Sequence, residues 1–418
     1  MKLKYGEEKL ALSLDKLGEE VETLLPNEKE GVADPLKAVK ASLANPIKSL
    51  SLDKLVEQRN PKKVVIVVND VSRLTPYDYM LPPLLEQLEQ GGVKKEAITF
   101  IIATGIHEPN TEEQNRRIFG DEIVDNYCLI SHDPDNNLVD LGELSSGNTL
   151  LLNKEVVEAD FLITTGVITA HYFAGFSGGR KSILPGVAGR ESIQRNHAHM
   201  VNLLGNLPKI EDNPVSLEMI EAANKVGVDF ILNVVTNSKK EIVEVVAGDL
   251  EAAWYQGVKT SSQMYHVPIK KKVDVAIVSA GGYPKDINIY QAQKALDNAD
   301  YAVKDGGTIV LLAECRAGLG EDVFEEWLNT ATRPEDNIER IKERFVIGGH
   351  KAFAISKVVL NKEFILISEF NQEITELMFA KKMNNLDEVL SYLADKYNKK
   401  YSSIIMPQGG LTVPVMEK

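Results

Sequence analysis

The 418-residue chain has only two cysteines, Cys128 and Cys315, far apart and without CxxC spacing, which excludes a disulfide framework and a thiolate metal site. Basic charge is also in short supply. Lys and Arg total 47 against 61 Asp and Glu, a net charge of −14, and no basic stripe offsets it, so neither nucleic acid nor an acidic membrane surface is an expected partner. No apolar run approaches the ~18 residues of a membrane span, and the N-terminal MKLKYGEEKLALSL carries charges where a signal peptide needs an apolar stretch. A cytoplasmic location is expected. Internal repeats and low-complexity segments are absent as well.

What is present is an alternation of strand-length apolar runs with longer helical patterns, the signature of βαβ units. At roughly 150 residues per domain the length fits two domains. The expected fold is α/β: two α/β domains with largely parallel sheets and an active-site cleft between them. An N-terminal domain over residues 1–270 and a C-terminal domain over residues 271–401 are expected, with Lys270 to Lys272 as the passage between them. Residues 402–418 are expected to pack back on the first domain. Strands are expected over 63–68, 97–104, 161–165, 230–235, 273–278, 308–312, 364–367 and 402–406. A helix starting near Tyr77 should be limited or bent by Pro82 and Pro83, and Asn110 with Glu113 forms a plausible capping box for the next one. A helix is also expected from about Arg190 to Met200, and a loop from about Asn206 to Pro214.

Glycine and reactive side chains cluster where these strands end: NDVSR, TGIH, TGVITAHYFAGFSGGRK, SAGGYPKDINIYQAQK, AECRAGLG and MPQGG. Open α/β sheets bind ligands at strand C-termini. His107 and His171 follow strands and His197 lies on the next helix, a grouping suited to acid–base chemistry, although a single histidine after a strand is more often an ordinary loop residue. His199 is two residues from His197 and points elsewhere on a helix, so only His197 is expected to face a shared ligand. The run Gly175-Phe-Ser-Gly-Gly-Arg-Lys-Ser182 fails the P-loop pattern because Arg180 stands where glycine is required. Its small residues with Arg180 and Lys181 suit an anion, and a flexible loop bearing a solvated basic pair would read alike. Arg73 suits bidentate capture of a carboxylate or, equally, a salt bridge to Asp70. Tyr290, Gln291 and Lys294 share one helix face that offers a hydroxyl, an amide and an ammonium, as an ordinary exposed face also can.

The combination NDVSR, GIHEPN, TAHYFAGFSGGRKSILPGVAG, RNHAHM and INIYQAQKALDNA resembles the nickel-dependent lactate racemase family over essentially the whole chain. The resemblance implies a racemase interconverting D- and L-lactate, or another short 2-hydroxy acid. It also implies a nickel-pincer nucleotide (pyridinium-3-thioamide-5-thiocarboxylic acid mononucleotide) tethered covalently to Lys181, with His197 as the protein ligand to nickel. By the same match His107 and His171 are the acid–base pair, and Arg73, Tyr290, Gln291 and Lys294 orient the substrate. Asp70, Ser177, Gly178 and Gly179 are candidate cofactor contacts. One histidine takes the hydroxyl proton as hydride leaves for the cofactor; hydride return to the other face of the planar keto acid inverts the centre. Histidine suits both directions because its pKa lies near the working pH. Cofactor maturation proteins are implied partners, and a homodimer is open to the chain. Phe353, aligned with a tryptophan of some relatives, marks a departure in substrate packing. Two other classes stay open: a zinc hydrolase or lyase held by His107, His171 and His197, and a non-catalytic nucleotide-binding protein built on the glycine loop.

Overall fold

The computed structural model describes residues 1–203 and 210–417, so part of the loop expected between Asn206 and Pro214 lies outside the described residues. The chain divides into two compact units, one formed by most of residues 28–262 and the other by residues 1–27 with the chain from Gln263 onward.

In the first unit a six-stranded sheet has the order Ile242–Gly248, Phe230–Thr236, Phe161–Val167, Val64–Asn69, Ile98–Ala103, Cys128–Ser131. All pairs are parallel except the outermost, Ile242–Gly248 against Phe230–Thr236. Val64 to Val68 are fully buried, as a central parallel strand covered on both faces requires, and β-branched side chains fit that setting. From Val64–Asn69 the chain steps outward to Ile98–Ala103 and Cys128–Ser131, then returns to lay Phe161–Val167 on the opposite side. The strand order therefore reverses between Val64–Asn69 and Phe161–Val167. Loops leaving those two ends diverge, and the crevice between them is where such sheets take ligands.

Two helical expectations are corrected. The helix Tyr77–Gln90 runs on through Pro82 and Pro83. Met80, Leu81, Leu84 and Leu88 are buried in the sheet's core, and that stripe offsets the cost of about 3 kcal/mol for a helical proline. The capping box before Glu112–Phe119 is Thr111 with Gln114, one residue beyond the expected pair. Asn110 is engaged elsewhere, its Oδ1 accepting from the Val71 N–H at 3.1 Å.

The second unit carries another six-stranded sheet, parallel throughout, in the order Lys381–Lys382, Glu363–Ile367, Val303–Leu312, Val273–Ser279, Ser402–Met406, Glu20–Thr23. Here the expected division of the chain is corrected. Residues 402–418 do not join the first unit: Ser402–Met406 pairs with Val273–Ser279, and Val413–Met416 pairs with His266–Ile269. Residues 1–27 also belong here, and the passage between units falls near Gln263, ahead of Lys270. The order again reverses, between Val273–Ser279 and Ser402–Met406, and the helix Ile289–Asp300 follows the first of these. No helix among the described residues is long and apolar enough to cross a membrane.

Candidate active site

Val64–Asn69 and Ile98–Ala103 end level, with Asn69 opposite Ala103, so the NDVSR and TGIH loops rise side by side. His107 Nδ1 donates to Asp70 Oδ2 at 2.7 Å, and the Ser72 hydroxyl donates to Asp70 Oδ1 at 2.6 Å. Asp70 is buried whereas His107 is exposed. Burial alone would raise the Asp70 carboxyl, but the bonds from His107 and Ser72 outweigh it and hold the carboxyl below its ordinary range. An aspartate on Nδ1 fixes the tautomer and leaves Nε2 as the basic nitrogen. Asp70, expected as a cofactor contact, is thus the partner of His107. The Asp70–Arg73 salt bridge does not form; Asp70 pairs with His107, and Arg73 is exposed.

A short hairpin presents the next group. Ala170–His171 pairs with Gly175–Phe176, and the buried Phe173 sits in its turn. The Phe173 ring lies 4.5 Å from the His171 ring and 4.9 Å from that of His197, centroid to centroid, with Lys181 Nζ 5.6 Å from its centroid. His171 Nδ1 accepts weakly from the Ala174 N–H at 3.4 Å. A backbone path joins the two groups, since Gly105 N–H bonds Gly186 O and Gly186 N–H bonds Lys181 O.

The glycine run is tightly held. The Ser177 hydroxyl donates to Val167 O at 2.6 Å and accepts from the Thr169 N–H at 3.0 Å, closing the base of the hairpin. Gly178 and Gly179 have φ of +75° and +51°, and a Cβ on Gly179 would stand 2.8 Å from the Trp254 ring. Arg180 differs from the expected solvated cation. It is buried, donates to Ala174 O, Phe176 O and Ser216 Oγ, and stacks 3.7 Å from Trp254. Its charge is spent inside the loop, which leaves Lys181 as the cation of that pair near Phe173.

His197 is buried on the helix Arg190–Ala198. Burial, then the neighbouring Lys181 ammonium, push its pKa down to about 3, so the imidazole is neutral at any ordinary pH, the form a metal ligand requires. His199 points away and meets Glu218 Oε2 at 3.1 Å. Glu218 also accepts from Asn148 and Asn196, pinning the end of this helix. These residues fit a cofactor that brings its own metal donors: one neutral imidazole and one primary amine flank a single ring. A three-histidine zinc site is not formed, since no three His, Cys, Asp or Glu side chains among the described residues stand close enough to hold a metal.

In the second unit Asn288 caps Ile289–Asp300, accepting from the Gln291 N–H at 2.9 Å. Gln291 and Lys294 are exposed, and the Tyr290 ring is edged by Phe324 at 5.6 Å and His350 at 6.3 Å. Burial, then Glu321, raise the Tyr290 hydroxyl to about 12, so it remains a donor. Phe353 is buried within the helix Gly349–Val359, where it packs as core. Sequence reasoning missed the Asp70–His107 pair, the placement of Phe173 and the buried Lys351 beneath Tyr290. Only Phe173 had a usable signal, an aromatic two residues from His171 inside a glycine-bounded turn.

Residues 5–205 match the model of the lactate racemase N-terminal domain, and residues 269–415 match that of the lactate racemase C-terminal domain. The lactate racemase of Thermoanaerobacterium thermosaccharolyticum is 34% identical over 430 residues, spanning 100% of this chain and 99% of its own. That of Lactiplantibacillus plantarum is 34% identical over 388 residues, 89% of each chain. The solved structure of the Thermoanaerobacterium lactate racemase apoprotein superimposes with a TM-score of 0.89 at 32% identity, covering 100% of both chains. A Thermotoga maritima protein of solved structure shares the fold, with a TM-score of 0.64 at 18% identity over 93% of this chain and 100% of its own. With both halves matched in order and a relative aligned along its full length, the chain belongs to the lactate racemase family.

Proposed function

We propose that this protein is an isomerase that interconverts D- and L-lactate, with His107 and His171 as the two acid–base residues. The observation that carries the reading is the gathering of His171, Lys181 and His197 around Phe173, with His107 oriented by Asp70 at the neighbouring strand end. Removing the α-proton of lactate directly would leave a poorly stabilised carbanion, so the reaction calls for a hydride acceptor. A nickel-pincer nucleotide bonded to Lys181, with nickel held by His197, would supply that acceptor when bound.

The chain's own residues do the rest. The His107 imidazole, fixed by Asp70, exposes Nε2 to take the hydroxyl proton of one enantiomer, and His171 serves the other. In one turnover one histidine takes the hydroxyl proton and the other donates its proton to the carbonyl oxygen as the opposite face is reduced, and a histidine can act in both senses near neutral pH. Arg73, Tyr290, Gln291 and Lys294 bind and orient the carboxylate and hydroxyl. Gly178 and Gly179 are the candidate cofactor contacts, held where a Cβ would meet Ile168 and Trp254, while Ser177 sets the hairpin base that bears His171. The supporting relatives carry the name lactate racemase; another short 2-hydroxy acid is the second reading, since the proposed face recognises the carboxylate and hydroxyl that all such acids share.

The test is co-production with the cofactor maturation proteins, intact-mass analysis of the Lys181 peptide, and a chiral assay on lactate and its short homologues. A mass adduct on Lys181 with interconversion of both lactate enantiomers is expected. Protein that carries the adduct and leaves either enantiomer unchanged would sink the reading.

A further inference from the structure

Lysine is among the residues least often buried, and one kept inside a fold needs a reason. Lys351, in the first turn of Gly349–Val359, is 4% exposed. Its ammonium donates to the Gln293 amide oxygen at 2.7 Å and lies 5.4 Å from the centre of the Tyr290 ring. Tyr290, Gln293 and Lys294 belong to the same two turns of Ile289–Asp300, so Lys351 stands behind the face assigned above to the substrate.

The charges around it are mixed. Asp297 faces two ammonium groups, Lys351 and Lys357, and Lys351 also feels Lys294. Lys357 is shared with Asp300 at 3.6 Å, and Glu321 acts on the Tyr290 hydroxyl, so Asp297 and Glu321 are the carboxylates that share the Tyr290 end of the seam with Lys351 and Lys294. The other end is closed by its own pair, Asp300 with Lys362 at 2.5 Å, both nearly buried, so the seam has a separate structural tie. Burial pushes the Lys351 ammonium down to about 7, with Asp297 opposing and Lys294 adding to the fall. A nearby carboxylate would relieve that strain, and a preorganised cation in a dry setting stabilises an anion more than the same charge in water.

We propose that Lys351 is a positioning residue for the carboxylate end of the substrate, holding the Tyr290 ring from beneath and adding its positive field to that of Lys294. The inference rests on the reading of Tyr290, Gln291 and Lys294 as the carboxylate-orienting face. Lys351 acts through that face and makes no direct contact with the reacting atoms.

The test uses holoenzyme carrying Lys351→Met or Lys351→Gln, with oxamate as a small monoanionic inhibitor. Expected are a rise of about tenfold in KM for lactate, a parallel rise in the oxamate Ki, kcat within about threefold, and unchanged nickel per chain. KM and Ki both within about twofold of wild type in the folded variants would overturn the proposal. So would a fall in kcat and Tm with Ki unchanged, or a failure of both variants to fold, since each marks a purely structural lysine. Lys294→Met is the control. If it raises KM while both Lys351 variants are silent, only the Lys351 proposal fails; if Lys294→Met is silent too, the substrate-face reading itself has failed.

Discussion

At the residue scale the pairing of Asp70 with His107 decides how the first of the two proposed acid–base groups would work. The two are 37 positions apart, and nothing local in NDVSR or TGIH announces their bond. It exists because parallel strands end level at Asn69 and Ala103, a register that no single segment encodes. The residue types at the site were legible in the sequence; the partner of each was not. Asp70→Asn keeps the size of the side chain but replaces the carboxylate that sets the tautomer. Losing such an orienting aspartate costs a histidine base on the order of a hundredfold or more in kcat. Because the two lactate enantiomers have equal free energy, kcat/KM must fall by the same factor in both directions, whatever happens to each kcat alone. Steady-state assays from each enantiomer check this; full activity in the variant would end the assignment of Asp70. Since the bonds from His107 and Ser72 hold the Asp70 carboxyl below its ordinary range, the stability the carboxylate contributes is present above the unfolded carboxylate pKa and is lost as pH falls through the lower folded value.

At the element scale the strands were legible because Val and Ile runs admit few other readings, and the glycine run was legible as a special loop. Its internal wiring was not. Arg180 reads as a surface cation beside Lys181, yet its guanidinium is folded inward onto two carbonyls, a serine and Trp254. The basic pair therefore splits into a strut, Arg180, and a cation beside Phe173, Lys181. Arg180→Ala removes donors from buried carbonyls and opens a void beneath Trp254, a combined cost of about 3–5 kcal/mol. Urea denaturation is expected to show that loss, and a variant as stable as the parent would refute the strut. Gly178→Val is a poor probe of ligand binding for the same reason. A Cβ there would meet Ile168 at 2.7 Å with φ at +75°, so the variant should lose stability whether or not a ligand is present. Thermal melts of the cofactor-free protein are expected to show the drop.

At the scale of the whole molecule, the four central strands of each six-stranded sheet follow from the sequence pattern, but the outer strands Ile242–Gly248, Cys128–Ser131, Lys381–Lys382 and Glu20–Thr23 and the ownership of the chain's ends do not. Glu20–Thr23 pairs with Ser402–Met406 across almost the entire sequence, a contact whose register no periodicity reveals. The N-terminal residues add further ties to the loop before Tyr290, on the proposed substrate face. Gly6 N–H donates to Asp286 Oδ2 at 2.7 Å, Ser279 Oγ donates to Lys4 O at 2.6 Å, and Tyr283 N–H donates to Gly6 O at 2.8 Å. Asp286 and Tyr283 lie in the loop that leads into Tyr290, so the amino terminus braces that loop. A fragment covering residues 263–418 would lack these bonds, bare the edge of Ser402–Met406 and leave Asp286 buried without its Gly6 donor. An exposed strand edge invites aggregation, and a buried carboxylate stripped of a donor costs a further ~1–3 kcal/mol. The fragment alone is therefore expected to melt without cooperativity or to precipitate, and fusion of residues 1–27 through a flexible linker is expected to restore a single cooperative transition. Equal melting curves with and without residues 1–27 would show that the second unit folds from its own sequence and that the amino terminus merely decorates it.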